Sequence, residues 1–216
     1  MILPVKRFAN AKTRVVEAIG PPGRAAILRA MLADVLVALD RSREVERVVL
    51  VTGEGRAEKV AMERAKRIPT PLEVLRDPTD HGHSEAATLG IVRAKALGAT
   101  CTALLPGDCP LLEATELDNA LSTFAEGTVG VAADRHGTGT NGIFLSPADA
   151  IGPAFGPGSC ERHLDRARRA GYEAKLLDVP SLALDLDTPE DLAALGSILA
   201  AEPNRAPLTA AALAEL

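Results

Sequence analysis

Apolar positions along the chain come in two rhythms. Short unbroken runs, "MILPV" at 1–5, "RVVLVTG" at 47–53, "LEVLRD" at 72–77 and "TALL" at 102–105, stop abruptly at polar or turn residues and read as buried strands. Between them the spacing changes to that of helices. Leu28, Leu32, Val35 and Leu39 form one stripe behind the start signal Pro21-Pro22, a charged helix is predicted around 56–67, and residues 84–98 open on Ser-Glu and close on Gly98. Strands alternating with helices through residue 125 predict a parallel, doubly wound sheet.

The second half breaks that alternation. "TVGVAADR" (128–135), "TNGIFLSP" (140–147), "EAKLLDV" (173–179) and "LALDLD" (182–187) all read as strands, the first two close enough for an antiparallel addition, before a helix at about 189–201. No internal repeat or interdomain linker interrupts the pattern. A single α/β domain over 1–202 is expected, with 203–216 as a loosely held tail.

Composition narrows the class. Hydrophobic residues make up 47% of the 216 and aromatics only 2%, with no Trp, so the core must be built from Ala, Leu and Val. The net charge is −5 and the basic residues are scattered, which argues against a nucleic-acid surface and for a small-molecule partner. Three cysteines without CxxC spacing fit neither a disulfide framework nor a structural zinc site, and suit a reducing cytoplasm. Neither an export signal nor an apolar run of about 18 residues is present, so no membrane partner is expected.

Candidate chemistry gathers at the strand ends. Asp108 follows "TALL" and Pro106-Gly107, at the carboxyl edge where open α/β sheets bind ligands, although an Asp before Cys-Pro also makes an ordinary turn. "ALDLDTPED" ends another apolar run in alternating carboxylates, Asp185 and Asp187, which strand geometry places on one side. Thr188 and Pro189 then suit a helix cap and first turn, a role open to Asp187 as well. Acidic strand ends on one edge suit Mg²⁺, which takes oxygen ligands, keeps several waters and commonly uses one or two carboxylates with substrate phosphates. Lys6, Arg7, Lys12 and Arg14 cluster after the first strand and would meet a phosphate-bearing ligand, or simply face solvent.

Three loops complete the inventory. "DRHGTGTNGIF" (134–144) is a Gly/Thr-rich turn, either a plain hairpin or a phosphate contact, and "FGPGSCERH" (155–163) sets Ser159 at a helix start where it could cap an anion. His81 and His83 in "DHGHSEA" lack a third ligand at a zinc-like spacing. Neither GxGxxG nor GxxxxGK[ST] occurs in the first loop, and no nucleophilic triad follows from spacing.

Taken in order, "PVKRFANAKTR", Asp77-Pro78, "GDCPLL", "ADRHGTGTN", "FGPGS" followed by His163, and "DLDTPEDL" resemble the guanylyltransferases of coenzyme F420 biosynthesis, the CofC/FbiD family, nearly end to end. The resemblance implies a GT-A-like, Rossmann-like nucleotidyltransferase fold. It also implies transfer of GMP from GTP to a phosphorylated three-carbon acid, with pyrophosphate released and magnesium as cofactor. Phosphoenolpyruvate is favoured over 2-phospho-L-lactate and 3-phospho-D-glycerate. Carried over by residue, Asp108, Asp185 and Asp187 would hold the metal. Lys6, Lys12 and Arg14 would neutralise the triphosphate, with Lys12, Arg14 and Asp108 catalytic. Ser84, Pro106 and Gly107 would contact the nucleotide, and Thr140, Gly156 and Ser159 would seat the acceptor phosphate. The chain departs from the family at His83-Ser84, where a Leu-Asn pair is common. A homodimer stays open, as does a noncatalytic nucleotide-binding regulator.

Overall fold

The computed structural model describes residues 1–6, 13–77, 82–122 and 124–216, with the backbone alone for 13–18. Its centre is one seven-stranded sheet formed by β1 (Ile2–Val5), β2 (Val48–Thr52), β3 (Leu72–Arg76), β4 (Thr102–Leu104), β5 (Thr128–Ala133), β6 (Thr140–Leu145) and β7 (Glu173–Leu176). The spatial order is β3-β2-β1-β4-β6-β5-β7. Only β6 runs against its neighbours β4 and β5, and β7 returns to the parallel sense beside β5. The expected mainly parallel sheet with an antiparallel addition in the second half is therefore present.

Helices cover both faces because the strands alternate their apolar side chains. Leu3, Leu50, Ala103, Leu105 and Phe144 pack toward α1 (Thr13–Arg41), α2 (Gly55–Ala65), α4 (Ala114–Ser122) and α6 (Pro189–Ala201). Ile2, Val49, Val51, Leu104 and Ile143 pack toward α3 (His83–Ala96) and α5 (Ser159–Arg169). Gly90 lets α3 settle onto the sheet, since a Cβ there would stand 2.3 Å from Ile2 Cγ2. α1 is broken at Gly20 (φ 67°, ψ 169°), and Pro21 and Pro22 open its long second part, as the start signal predicted. No helix among the described residues is long and apolar enough to cross a membrane.

Two expectations are corrected. "LALDLD" is not a strand: a 3-10 turn at Pro180–Leu182 leads into irregular backbone up to the cap of α6. Apolar alternation survives because Leu186 is buried between two cavity-facing carboxylates, so the period of two reflects burial without a sheet partner.

The C-terminal stretch is also not loose. It forms α7 (Pro207–Ala214), which packs on α1 and is capped from a distant part of the chain. Asp34 of α1 accepts from Leu208 N–H (3.3 Å), Thr209 N–H (2.8 Å) and Thr209 Oγ1 (2.7 Å). These bonds satisfy orphan amides of the first turn of α7, which has no capping side chain of its own. Burial pushes the Asp34 carboxyl above its ordinary range, against the hydrogen bonds from Thr209.

Asp34→Ala should therefore lower unfolding stability by about 1–3 kcal/mol, the usual range for stranding buried donors. Urea unfolding would measure it, together with faster amide exchange confined at first to 207–214. Unchanged exchange in α7 would refute the capping role.

Candidate functional site

β1 lies where the sheet order turns, with β2 on one side and β4 on the other, and crevices in open α/β sheets form at such a point. β1 and β2 stay paired over four residues, and Thr52 Oγ1 adds a bond to Val5 O (2.8 Å). Toward β4 only Ile2 and Leu104 are in register, with Leu105 N–H donating to Ile2 O (3.0 Å). Pro4 has no N–H with which to continue that ladder. The strand ends part, and a cavity of about 560 Å³ opens between them. Val5, Lys6, Pro106, Gly107 and Asp108 line its floor, and the β5–β6 hairpin, the 155–159 loop and the 185–187 segment form its walls.

The acidic segment is held by hydrogen bonds in place of a strand ladder. Asn141 of β6 is buried and donates its amide to Leu182 O (2.8 Å) and Asp185 Oδ1 (3.2 Å). Arg135 in the hairpin donates its N–H to Ala183 O (2.8 Å) and its guanidinium to Asp191 (2.6 Å). Asp191 in turn accepts from Asp187 N–H (3.0 Å) and Thr188 N–H (2.7 Å), closing a capping box with Thr188 at the start of α6. Asp185 and Asp187 thus both face the cavity, as the sequence alternation implied. The hairpin is itself built on Asp134, whose carboxylate accepts from His136 N–H (3.2 Å) and Thr138 N–H (3.0 Å).

Thr140, which also lines the cavity, has its Oγ1 3.1 Å from His163 Nδ1, and Ala154 N–H donates to His163 Nε2 at 2.8 Å. His163 is fully buried; burial, reinforced by the charges of Arg162 and Arg166, depresses its pKa to about 4. Arg162 donates to Ala154 O (3.0 Å) and Pro157 O (3.0 Å), and Arg166 to Gly152 O (2.8 Å), so α5 straps the loop that precedes it. Phe155 stands edge-on between His83 and His163, with ring centroids 4.5 and 5.3 Å away.

The sequence-based candidates fare unevenly. Asp108, Asp185, Asp187, Lys6, Pro106, Gly107, Thr140, Gly156 and Ser159 are brought to one cavity. Arg7, Lys12, the side chain of Arg14, Pro78 and His81 lie outside the described residues. His83 lines the cavity, whereas the Ser84 hydroxyl accepts from Phe155 N–H (3.0 Å) and ties α3 to the loop. Ser159 is not the N-cap of α5: Gly158, at φ 67°, holds that place. The amides of Ser159 and Cys160 donate to Gly156 O (3.0 Å) and Thr138 O (3.1 Å), so these two have carbonyl partners already. Asn141, Arg135, Asp191 and the Thr140–His163 pair were missed as site residues, because their partners are far apart in sequence. Arg135, Thr140 and Asn141 of the hairpin, His163 and Asp191 all stand within the motifs that carry the family resemblance, but the bonds among them are not legible there.

Four carboxylates, Asp108, Asp134, Asp185 and Asp187, face this cavity, and among the described residues lining it Lys6 is the only permanent cation. Such a wall repels phosphates unless a cation intervenes. No three His, Cys, Asp or Glu side chains among the described residues are gathered into a closed ligand set. Hard oxygen donors in an open arrangement fit Mg²⁺, which relies on one or two carboxylates plus phosphates and waters.

Comparison with known proteins agrees with this geometry. A protein-family model described as "Guanylyl transferase CofC like" matches residues 1–201. The chain is 41% identical over 217 aligned positions to a phosphoenolpyruvate guanylyltransferase of Conexibacter woesei, covering 100% of this chain and 95% of that one. It is 35% identical to a 3-phospho-D-glycerate guanylyltransferase of Phenylobacterium zucineum, covering 88% and 86% respectively. Among solved structures, a nucleotidyl transferase from Methanothermobacter thermautotroptrophicus superposes with a TM-score of 0.62 at 18% identity, covering 94% of this chain and 99% of that one, and shares the fold.

His163 makes stability depend on pH. In the unfolded chain a histidine binds its proton near pH 6.5, whereas in the fold it resists until about 4. The contribution is complete above pH 6.5 and is lost as pH falls through that window, because the unfolded state takes up the proton first. Between pH 7.5 and 5 this residue alone should remove up to about 2 kcal/mol. Urea unfolding at the two pH values, paired with the His163 ring resonances, tests this. Protonation of the ring in the folded protein above pH 6 would contradict it.

Proposed function

The chain belongs to the CofC-like guanylyl transferase family, and from that membership we propose that it transfers GMP from GTP to a phosphorylated three-carbon acid, phosphoenolpyruvate in preference, in coenzyme F420 biosynthesis. The observation that carries this reading is the cavity at the strand switch, lined by four carboxylates together with Thr140 and the glycine-rich 155–159 loop. Such a cavity can seat two anionic substrates side by side, the nucleotide toward Lys6, Pro106 and Gly107 and the acid toward Thr140, Gly156 and Ser159.

In the proposed reaction an oxygen of the acceptor phosphate attacks the α-phosphorus of GTP. A new P–O bond forms in line as the bond to the β-phosphate oxygen breaks, and pyrophosphate leaves with the electron pair. The attacking oxygen is already anionic, so no general base is needed, consistent with a site that relies on positioning and charge. Asp108 with Asp185, Asp187 or both would hold Mg²⁺ together with the substrate phosphates, and its charge would offset the phosphates and the developing charge on the leaving group. Lys6, Lys12 and Arg14 are assigned to the triphosphate. Free thiols at Cys101, Cys109 and Cys160 suit a cytoplasmic setting.

Pyrophosphate release measured with GTP, Mg²⁺ and each acid should give the highest kcat/KM with phosphoenolpyruvate. Competition of the three acids in one tube, with guanylated products resolved by mass, checks the choice. A dominant 3-phospho-D-glycerate or 2-phospho-L-lactate product would replace the acceptor, and no pyrophosphate with any acid would overturn the reaction.

Asp108→Asn should cut kcat more than tenfold, a loss above about 1.4 kcal/mol of transition-state stabilisation, while circular dichroism stays unchanged. A variant with near wild-type turnover would return Asp108 to the role of a turn residue.

A further inference from the structure

The polarity of the hydrogen bonds around His163 is set from outside the ring. A backbone N–H can only donate, and Ala154 N–H reaches Nε2 at 2.8 Å, so Nε2 must present its lone pair. A fully buried imidazole flanked by Arg162 and Arg166 is neutral near pH 7, which leaves its one proton on Nδ1. Nδ1 is 3.1 Å from Thr140 Oγ1, so the imidazole donates there and the threonine accepts. A hydroxyl that accepts from a ring nitrogen retains its own proton for a different partner. Among the described residues Thr140 Oγ1 has no second partner, and Thr140 lines the cavity.

We propose that His163 is a positioning residue: held in one tautomer by the Ala154 amide, it commits the Thr140 hydroxyl to donate into the cavity, where it takes an oxygen of the acceptor phosphate. The ligand half of this statement rests on the guanylyl-transfer reading; the proton placement does not. Serine or threonine hydroxyls ordinarily rotate to donate or accept as a ligand requires. Here one lone pair is filled and the proton is left without a protein partner among the described residues before the ligand arrives, so the seat favours groups rich in lone pairs over groups that can only donate.

Two measurements separate these halves. A nitrogen-15 spectrum of the imidazole rings in the full-length, ligand-free protein at pH 7 should show His163 protonated at Nδ1 and bare at Nε2. A proton on Nε2, or on both nitrogens, would overturn the role of His163. In steady-state kinetics Thr140→Val and His163→Leu should each raise the KM for the acid by about tenfold or more, the range for a hydrogen bond to a charged group, with the KM for GTP held within about twofold. The double variant should be no worse than Thr140→Val alone, since both act through one bond.

His163→Asn, close in size to leucine but able to donate from Nδ2 near the Nδ1 position, should recover most of the loss. Additive effects, an equal rise in the KM for GTP, or an asparagine variant as poor as the leucine one would each reduce His163 to a structural residue. A leucine variant that fails to fold leaves the wild-type spectrum and the asparagine kinetics to decide. Wild-type protein that releases no pyrophosphate with any phosphoacid would overturn the ligand assigned to Thr140.

Discussion

The parting of β1 from β4 is the constraint on which the site depends. Two parallel strands with a full ladder would close the sheet over the ground that the cavity occupies. One register pair and a proline suffice to stop the ladder after Ile2. Beyond that point each strand end must satisfy its backbone groups in other ways, as Thr52 Oγ1 does for Val5 O on the β2 side. The chain immediately after each end, Lys6 on one and Pro106 to Asp108 on the other, then lines the cavity.

Around that opening, polar bonds do what strand pairing does elsewhere. The 182–188 segment has no ladder, yet it is held by Asn141 and Arg135 from the hairpin and by Asp191 from its own helix. Each of those three residues is itself fixed by burial or by a partner, so the placement of Asp185 and Asp187 is inherited from the sheet through side chains. This division explains why a carboxylate-rich wall coexists with a core made mostly of aliphatic residues. The aliphatic clusters set where the strands lie, and a short polar network sets where the charges point.

Much of the fold was legible because its signals are local. Apolar runs ending in Thr-Gly or Pro-Gly marked strands, and Thr188-Pro189 marked the start of α6. "LALDLD" misled because alternation records only which residues are buried, and an irregular segment pinned by Asn141 buries Leu186 as a strand would. The tail misled for a related reason: α7 carries no cap of its own, and the carboxylate that supplies one, Asp34, is 175 residues away from Thr209. At the cavity, Asp108 was legible from its position after a strand, and the other lining candidates from the motifs of the resemblance. The bonds of His163, Asn141 and Arg135 were not legible, since they span 23, 44 and 56 residues, the last being the separation of Arg135 from Asp191.

The strapping of the 152–158 loop by Arg162 and Arg166 has an entropic consequence. Ordering a free loop on binding would cost roughly 1–2 kcal/mol for each residue fixed. Here the ordering accompanies the docking of α5, one of the helices that builds the core, so it belongs to folding and is complete before any ligand is met. The loop contributes to affinity as a rigid wall whose shape is already settled. Its mobility is tied to the stability of a helix, so conditions that fray α5 would weaken the site without altering any residue that lines it.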